Sequence, residues 1–114
     1  MEPPELQVRA THTGGQWIVM VAGELDLCSA ADLEAHVAPL VRSPGSVTLH
    51  LGQVSFLDLT AFKSLLRMKI LAHKHGSSLI IGAASPAVRR ILNLTGLGEA
   101  FAPCHVPVEP KTRI

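Results

Sequence analysis

A chain of 114 residues, 47% hydrophobic, 17% charged and 4% aromatic, has room for one domain with its own core. That balance excludes a disordered chain, and a formal net charge of +1 gives no electrostatic footing for a nucleic-acid partner. No apolar run approaches the roughly 20 residues that cross a bilayer, so direct membrane insertion is not expected.

The opening stretch, Met1-Glu2-Pro3-Pro4-Glu5, lacks the basic and apolar regions of a signal peptide and reads as a tail, which points to a cytoplasmic protein. Leu6–His12 and Gln16–Glu24 are strand-like segments joined by Thr13-Gly14-Gly15, a hairpin signal. Trp17-Ile18-Val19-Met20-Val21-Ala22 is almost continuously apolar and predicts burial on both faces. Ser29 with Asp32 fits a capping box, and Ala30, Leu33, Val37 and Val41 follow at helical spacing, with Pro39 expected to kink or end that helix early.

After the turn Ser43-Pro44-Gly45, Val47, Leu49 and Leu51 alternate with Thr48 and His50 in a short strand. A second helix is expected from about Thr60 to His75, stopped by Gly76. Leu79-Ile80-Ile81 reads as a short buried strand. Ser85 caps a third helix whose first position is Pro86 and whose end is Gly96, with Val88, Ile91, Leu92 and Thr95 facing inward. Phe101-Ala102-Pro103-Cys104 is a candidate edge strand, and the residues after it read as a loose tail.

Strands alternating with helices imply parallel pairing and right-handed crossovers. The expected fold is therefore α/β: a single domain over 6–104 between tails 1–5 and 105–114. Its mixed, mostly parallel sheet has four to five strands, with helices mainly on one face.

Ala22-Gly23-Glu24-Leu25-Asp26-Leu27, Val54-Ser55-Phe56-Leu57-Asp58 and the run from Ser85 to Leu97 together resemble the STAS domain, in particular the single-domain bacterial anti-sigma factor antagonists. The likeness spans about residues 6 to 102. It implies a partner-switching protein whose partner is an anti-sigma factor of the serine kinase type. In that family the kinase phosphorylates a serine at the start of the second long helix, within Asp-Ser-Ser-Gly or Asp-Ser-Thr-Gly, and so releases the antagonist. The matching residues here are Asp58, Leu59, Thr60 and Ala61, so leucine stands at the acceptor position. His50 stands where the family often has aspartate.

Leu59 has no oxygen to accept a phosphoryl group, which rules out the usual switch at that position. Thr60, about 100° further round the helix, is the remaining candidate for phosphorylation; the alternative is that it only caps or packs in the first turn. Asp58 suits a helix N-cap, with or without a binding role. The resemblance implies a partner-binding patch of Glu24, Asp26, Asp58, Leu59 and Thr60, extended by Phe62 and Lys63. Along the same helix, Ala61, Leu65, Met68 and Ala72 form one apolar stripe, while Leu59, Phe62, Leu66 and Ile70 form another, with Lys69 between them. Either both stripes make one wide core face with Lys69 snorkelling outward, or the edge with Leu59 and Ile70 stays exposed for docking.

No enzymatic constellation emerges. Glu24, Asp26 and Asp58 have no nucleophile or cofactor motif beside them, and Gly14-Gly15 is followed by no Gly-Lys-Ser/Thr. His73 and His75 would stand about 160° apart on a continuing helix, a poor metal pair. Neither cofactor nor metal is expected. Cys28 and Cys104 have no CxxC spacing and read as reduced thiols, with a redox-sensitive disulfide as the alternative. A homodimer, and a STAS scaffold or regulatory subunit of a larger complex such as a lipid-transport ABC system, stay open as alternatives.

Overall fold

The computed structural model describes residues 6–101. β1 (Leu6–Thr13) and β2 (Gln16–Leu25) form an antiparallel hairpin with Thr13 opposite Gln16. Gly14 and Gly15 turn it with φ of 59° and 79°, the left-handed backbone that a two-residue hairpin loop needs. There follow α1 (Leu27–Val41), β3 (Gly45–Leu57), α2 (Leu59–Lys74), β4 (Ser77–Ala84), α3 (Pro86–Thr95) and a 3-10 turn, Gly98–Phe101.

The sheet order is β1-β2-β3-β4, with β2, β3 and β4 parallel. Because successive strands are neighbours, right-handed crossovers bring α1 and α2 to the same face, and α3, which follows β4, joins them there through Val88 and Leu92. On that face Val19, Val21, Leu49 and Ile81 meet Leu33 and Val37 of α1, Leu65 and Met68 of α2, and Val88 and Leu92 of α3 in one core. The opposite face has no helix over it among the described residues. That explains why β2 is not buried on both sides as its apolar run predicts: Met20, pointing away from the helices, is 46% exposed.

The first helix departs from expectation at both ends. Asp26, not Ser29, is its N-cap, accepting from the amides of Cys28 and Ser29, while Ser29 occupies the third helical position and completes the capping box. The Ser29 hydroxyl also donates to the Glu24 carbonyl at 2.6 Å, a use that turns it inward and buries it. Pro39 does not end the helix. Its missing amide would have bonded to Ala35, an exposed residue whose carbonyl water can satisfy, and burial of Val37 and Val41 holds the last turn in place.

The third helix follows the sequence signals: the Ser85 hydroxyl accepts from the Val88 amide, and Gly96 closes it at φ 71°. Phe101 is not in an edge strand. It ends the 3-10 turn, is fully buried, and sits 6.2 Å from Phe62, ring centroid to ring centroid. Residues 102–104 of the expected strand, Cys104 among them, lie outside the described residues, as do both expected tails.

Candidate functional site

Two parallel strands end alike. Glu24-Leu25-Asp26-Leu27 closes β2 and Phe56-Leu57-Asp58-Leu59 closes β3, and the register sets Glu24 beside Phe56 and Leu25 beside Leu57. In each copy the first leucine points into the core, the aspartate caps a helix, and the second leucine takes the first helical position. The Asp58 amide donates to the Leu25 carbonyl at 3.3 Å, which fastens one helix start to the other.

Both aspartates do N-cap work. Asp58 accepts from the Ala61 amide at 2.8 Å. Asp26 accepts from the amides of Ser29 and Cys28 and from the Ser29 hydroxyl, and these donors, the Ser29 amide foremost, hold its carboxyl below the ordinary value. Their negative charge also suits the positive ends of the helix dipoles.

The leucines that follow lie outside the core. Leu59 is 53% exposed and Leu27 is 66% exposed. Thr60 is exposed, and among the described residues its hydroxyl has no hydrogen-bond partner; Lys63 and Glu24 are exposed as well. Asp26 and Asp58 are half-buried by the bonds they accept. Register and capping thus bring Glu24, Asp26, Asp58, Leu59 and Thr60 to one end of the sheet, with Lys63 a turn further along α2.

Phe62 does not belong with them. It is 1% exposed and packs against Phe101, so it offers a partner no surface. The helix face divides accordingly: Ala61, Phe62, Leu65, Met68 and Ala72 are core, Leu66 is half-buried, and Leu59 and Ile70 are left outside. Lys69 reaches the sheet instead of snorkelling away. Its ammonium donates to the Leu79 carbonyl at 2.9 Å and lies 6.0 Å from the centre of the Phe101 ring, and desolvation lowers its pKa.

Leu27 and Phe56 are surface residues that the motif reading passed over. The signal was present as the repeated Leu-Asp-Leu, which becomes meaningful only when β2 and β3 are known to be adjacent and parallel. α1 and α2 are joined beyond their starts by Arg67, which donates to Glu34 at 3.3 Å and to the Ser64 hydroxyl at 2.7 Å. Cys28 is exposed in the first turn of α1.

A four-stranded mixed sheet, helices on one face and two linked helix starts at its C-terminal edge define a small α/β module of the STAS class. The family model described as "Mlab, STAS domain" matches residues 8–106, and the chain belongs to the STAS family. It is similar to the anti-sigma-F factor antagonist RsfB of Mycobacterium tuberculosis, 29% identical over 87% of this chain and 81% of the relative. It is also similar to the anti-sigma-B factor antagonist of Bacillus subtilis, 30% identical over 71% of this chain and 74% of the relative. The crystal structure of an anti-sigma factor antagonist from Mycobacterium paratuberculosis superposes with a TM-score of 0.75 at 28% identity, covering 94% of this chain and 91% of that one.

Proposed function

We propose that this chain is an anti-sigma factor antagonist that binds a kinase-type anti-sigma factor in the cytoplasm through the linked helix starts of α1 and α2. Glu24, Asp26, Asp58, Leu59, Thr60 and Lys63 form the contact, and Leu27 enlarges its apolar part. The observation that carries the reading is the exposure of Leu59 directly after the capping Asp58, in a chain similar over most of its length to anti-sigma factor antagonists.

A phosphoryl group at that helix start would bring about −1.5 to −2 charge beside Asp58 and disrupt an apolar contact. Leucine there keeps the surface neutral. Binding is therefore constitutive, or its control has moved to Thr60, whose exposed hydroxyl has no partner within the described residues.

Mixing the purified chain with its cognate kinase-type anti-sigma factor tests this. The complex should form and release the sigma factor, and addition of ATP and magnesium should leave the complex intact or place phosphate on Thr60 alone. Failure of the two proteins to associate overturns the reading.

A second reading, a STAS scaffold or regulatory subunit within a larger assembly such as a lipid-transport ABC system, is supported by the same missing acceptor, since such a role needs no phosphorylation. Pull-down from native cytoplasm separates the two: recovery of an ATP-binding regulator supports the first, recovery of a transport ATPase the second.

A further inference from the structure

The helix-free face of the sheet carries a trough of about 970 Å³, at the upper end of the roughly 300–1,000 Å³ common for ligand sites. Two cross-strand rungs build it. Arg9 of β1 pairs with Met20 of β2, which pairs with His50 of β3, which pairs with Ala83 of β4; on the next rung Gln7, Ala22 and Gln53 are aligned in the same way. Small residues, Ala22, Gly52 and Ala83, lower the floor, and among the described residues no acidic side chain lines it.

The sheet is irregular at this place. Register shifts fall between Met20 and Ala22 on the β2–β3 side and between Leu49 and His50 on the β3–β4 side. Such bulges bend a strand and re-aim its side chains. The one at β4 leaves Gly82 beneath His50, so close that a Cβ there would stand 2.6 Å from His50 Cε1 and 2.9 Å from its Nδ1. His50 is thereby held on the trough wall by the absence of a side chain beneath it. Among the described residues, the side chains of Arg9, His50, Gln7 and Gln53 have no hydrogen-bond or ion-pair partner within the protein, so their donors are uncommitted.

We propose that this trough binds a small organic anion, its phosphate or carboxylate group held between the Arg9 guanidinium and the His50 imidazole above Met20. The amides of Gln7 and Gln53 then serve the polar remainder of the ligand, and the small-residue floor its flat or apolar part. An anion fits because the charge-bearing wall is cationic, its planar guanidinium matches an oxyanion, and among the described residues no carboxylate opposes it. The site is on the sheet face, away from the helix starts, and stands whether or not those bind an anti-sigma factor.

Amide-resolved NMR titration of the full chain tests it, with sodium phosphate and sodium acetate as probes against sodium chloride at matched ionic strength. Saturable shifts at Arg9, Met20, His50 and Ala83 are expected; a response to both probes admits carboxylates and phosphates, and a response to one restricts the ligand to that class. Arg9→Gln should weaken binding about tenfold through loss of a charge-assisted contact, while Arg67→Gln on α2 leaves it unchanged. A non-saturating response, shifts centred on Leu27 and Leu59, the same response to chloride, or an Arg9→Gln protein that binds as the parent does would each overturn the proposal.

Discussion

The Asp58 amide donates to the Leu25 carbonyl across 3.3 Å, so the residue that caps α2 is tied to the residue that precedes the cap of α1. The two helix starts are consequently one surface. That surface presents both first-turn leucines, held at the ends of adjacent parallel strands.

Replacing either leucine with a charge should affect binding and spare the fold. Leu27→Glu and Leu59→Glu remove no core contact, so urea denaturation should place each within about 0.5 kcal/mol of the parent protein. Calorimetric titration with the anti-sigma factor should show affinity falling about tenfold or more, the 1.4 kcal/mol scale of an interface anchor. Full affinity in both variants would place the interface elsewhere.

Leu59→Ser restores a hydroxyl at the first helical position. With the cognate kinase and ATP, mass spectrometry should find one phosphate on that residue, and the complex should then dissociate. The parent protein should gain none, or one at Thr60. A variant that binds normally yet stays inert would favour the scaffold reading.

Much of the fold can be read from local chemistry. Ser85-Pro86 and Gly96 bracket α3, Gly14-Gly15 turns the hairpin, and Ala30, Leu33, Val37 and Val41 mark the inner side of α1, all from short-range rules. The misreadings turn on which groups meet, a few residues apart at the start of α1 and across the fold elsewhere. Ser29 looks like a cap until Asp26 claims the amides and the Glu24 carbonyl takes the hydroxyl. Phe62 shares a stripe with Leu59, but Phe101 covers it and leaves Leu59 bare. Met20 belongs to an apolar run whose burial depends on a helix crossing that face, and none does within the described chain.

Acid should act on the Asp26 cap. Its folded-state pKa is lowered below 3.8, so its contribution to stability is complete above the unfolded value and is lost as pH falls through the folded one. Asp26→Asn keeps a capping oxygen but no titration. Urea midpoints measured from neutral pH down past 3.8 should fall less steeply for the variant, and parallel curves would contradict the assigned cause.

Phe62 and Leu59 make a paired test of burial within one helix. Phe62→Ala empties a site against Phe101 and should cost about 3–5 kcal/mol by urea denaturation, with the loss of the aromatic pair included. Leu59→Ala should cost less than about 0.5 kcal/mol. Equal costs would mean that the first turn of α2 is buried in solution.

Gly82→Ala probes the close approach beneath His50. The added Cβ would meet His50 Cε1 at 2.6 Å and Thr48 Cγ2 at 2.8 Å, so either the imidazole tilts off β4 or the strand shifts. Thermal or urea unfolding should show a loss of about 1–3 kcal/mol, the usual range for an overpacked position. Adding His50→Ala should recover part of that loss, because it removes one of the two obstacles, and Thr48→Ala should recover another part. The interaction between Gly82→Ala and His50→Ala, taken from a double-mutant cycle, measures how firmly the glycine fixes the ring. Strict additivity of the two changes would show that the ring already stands clear of β4.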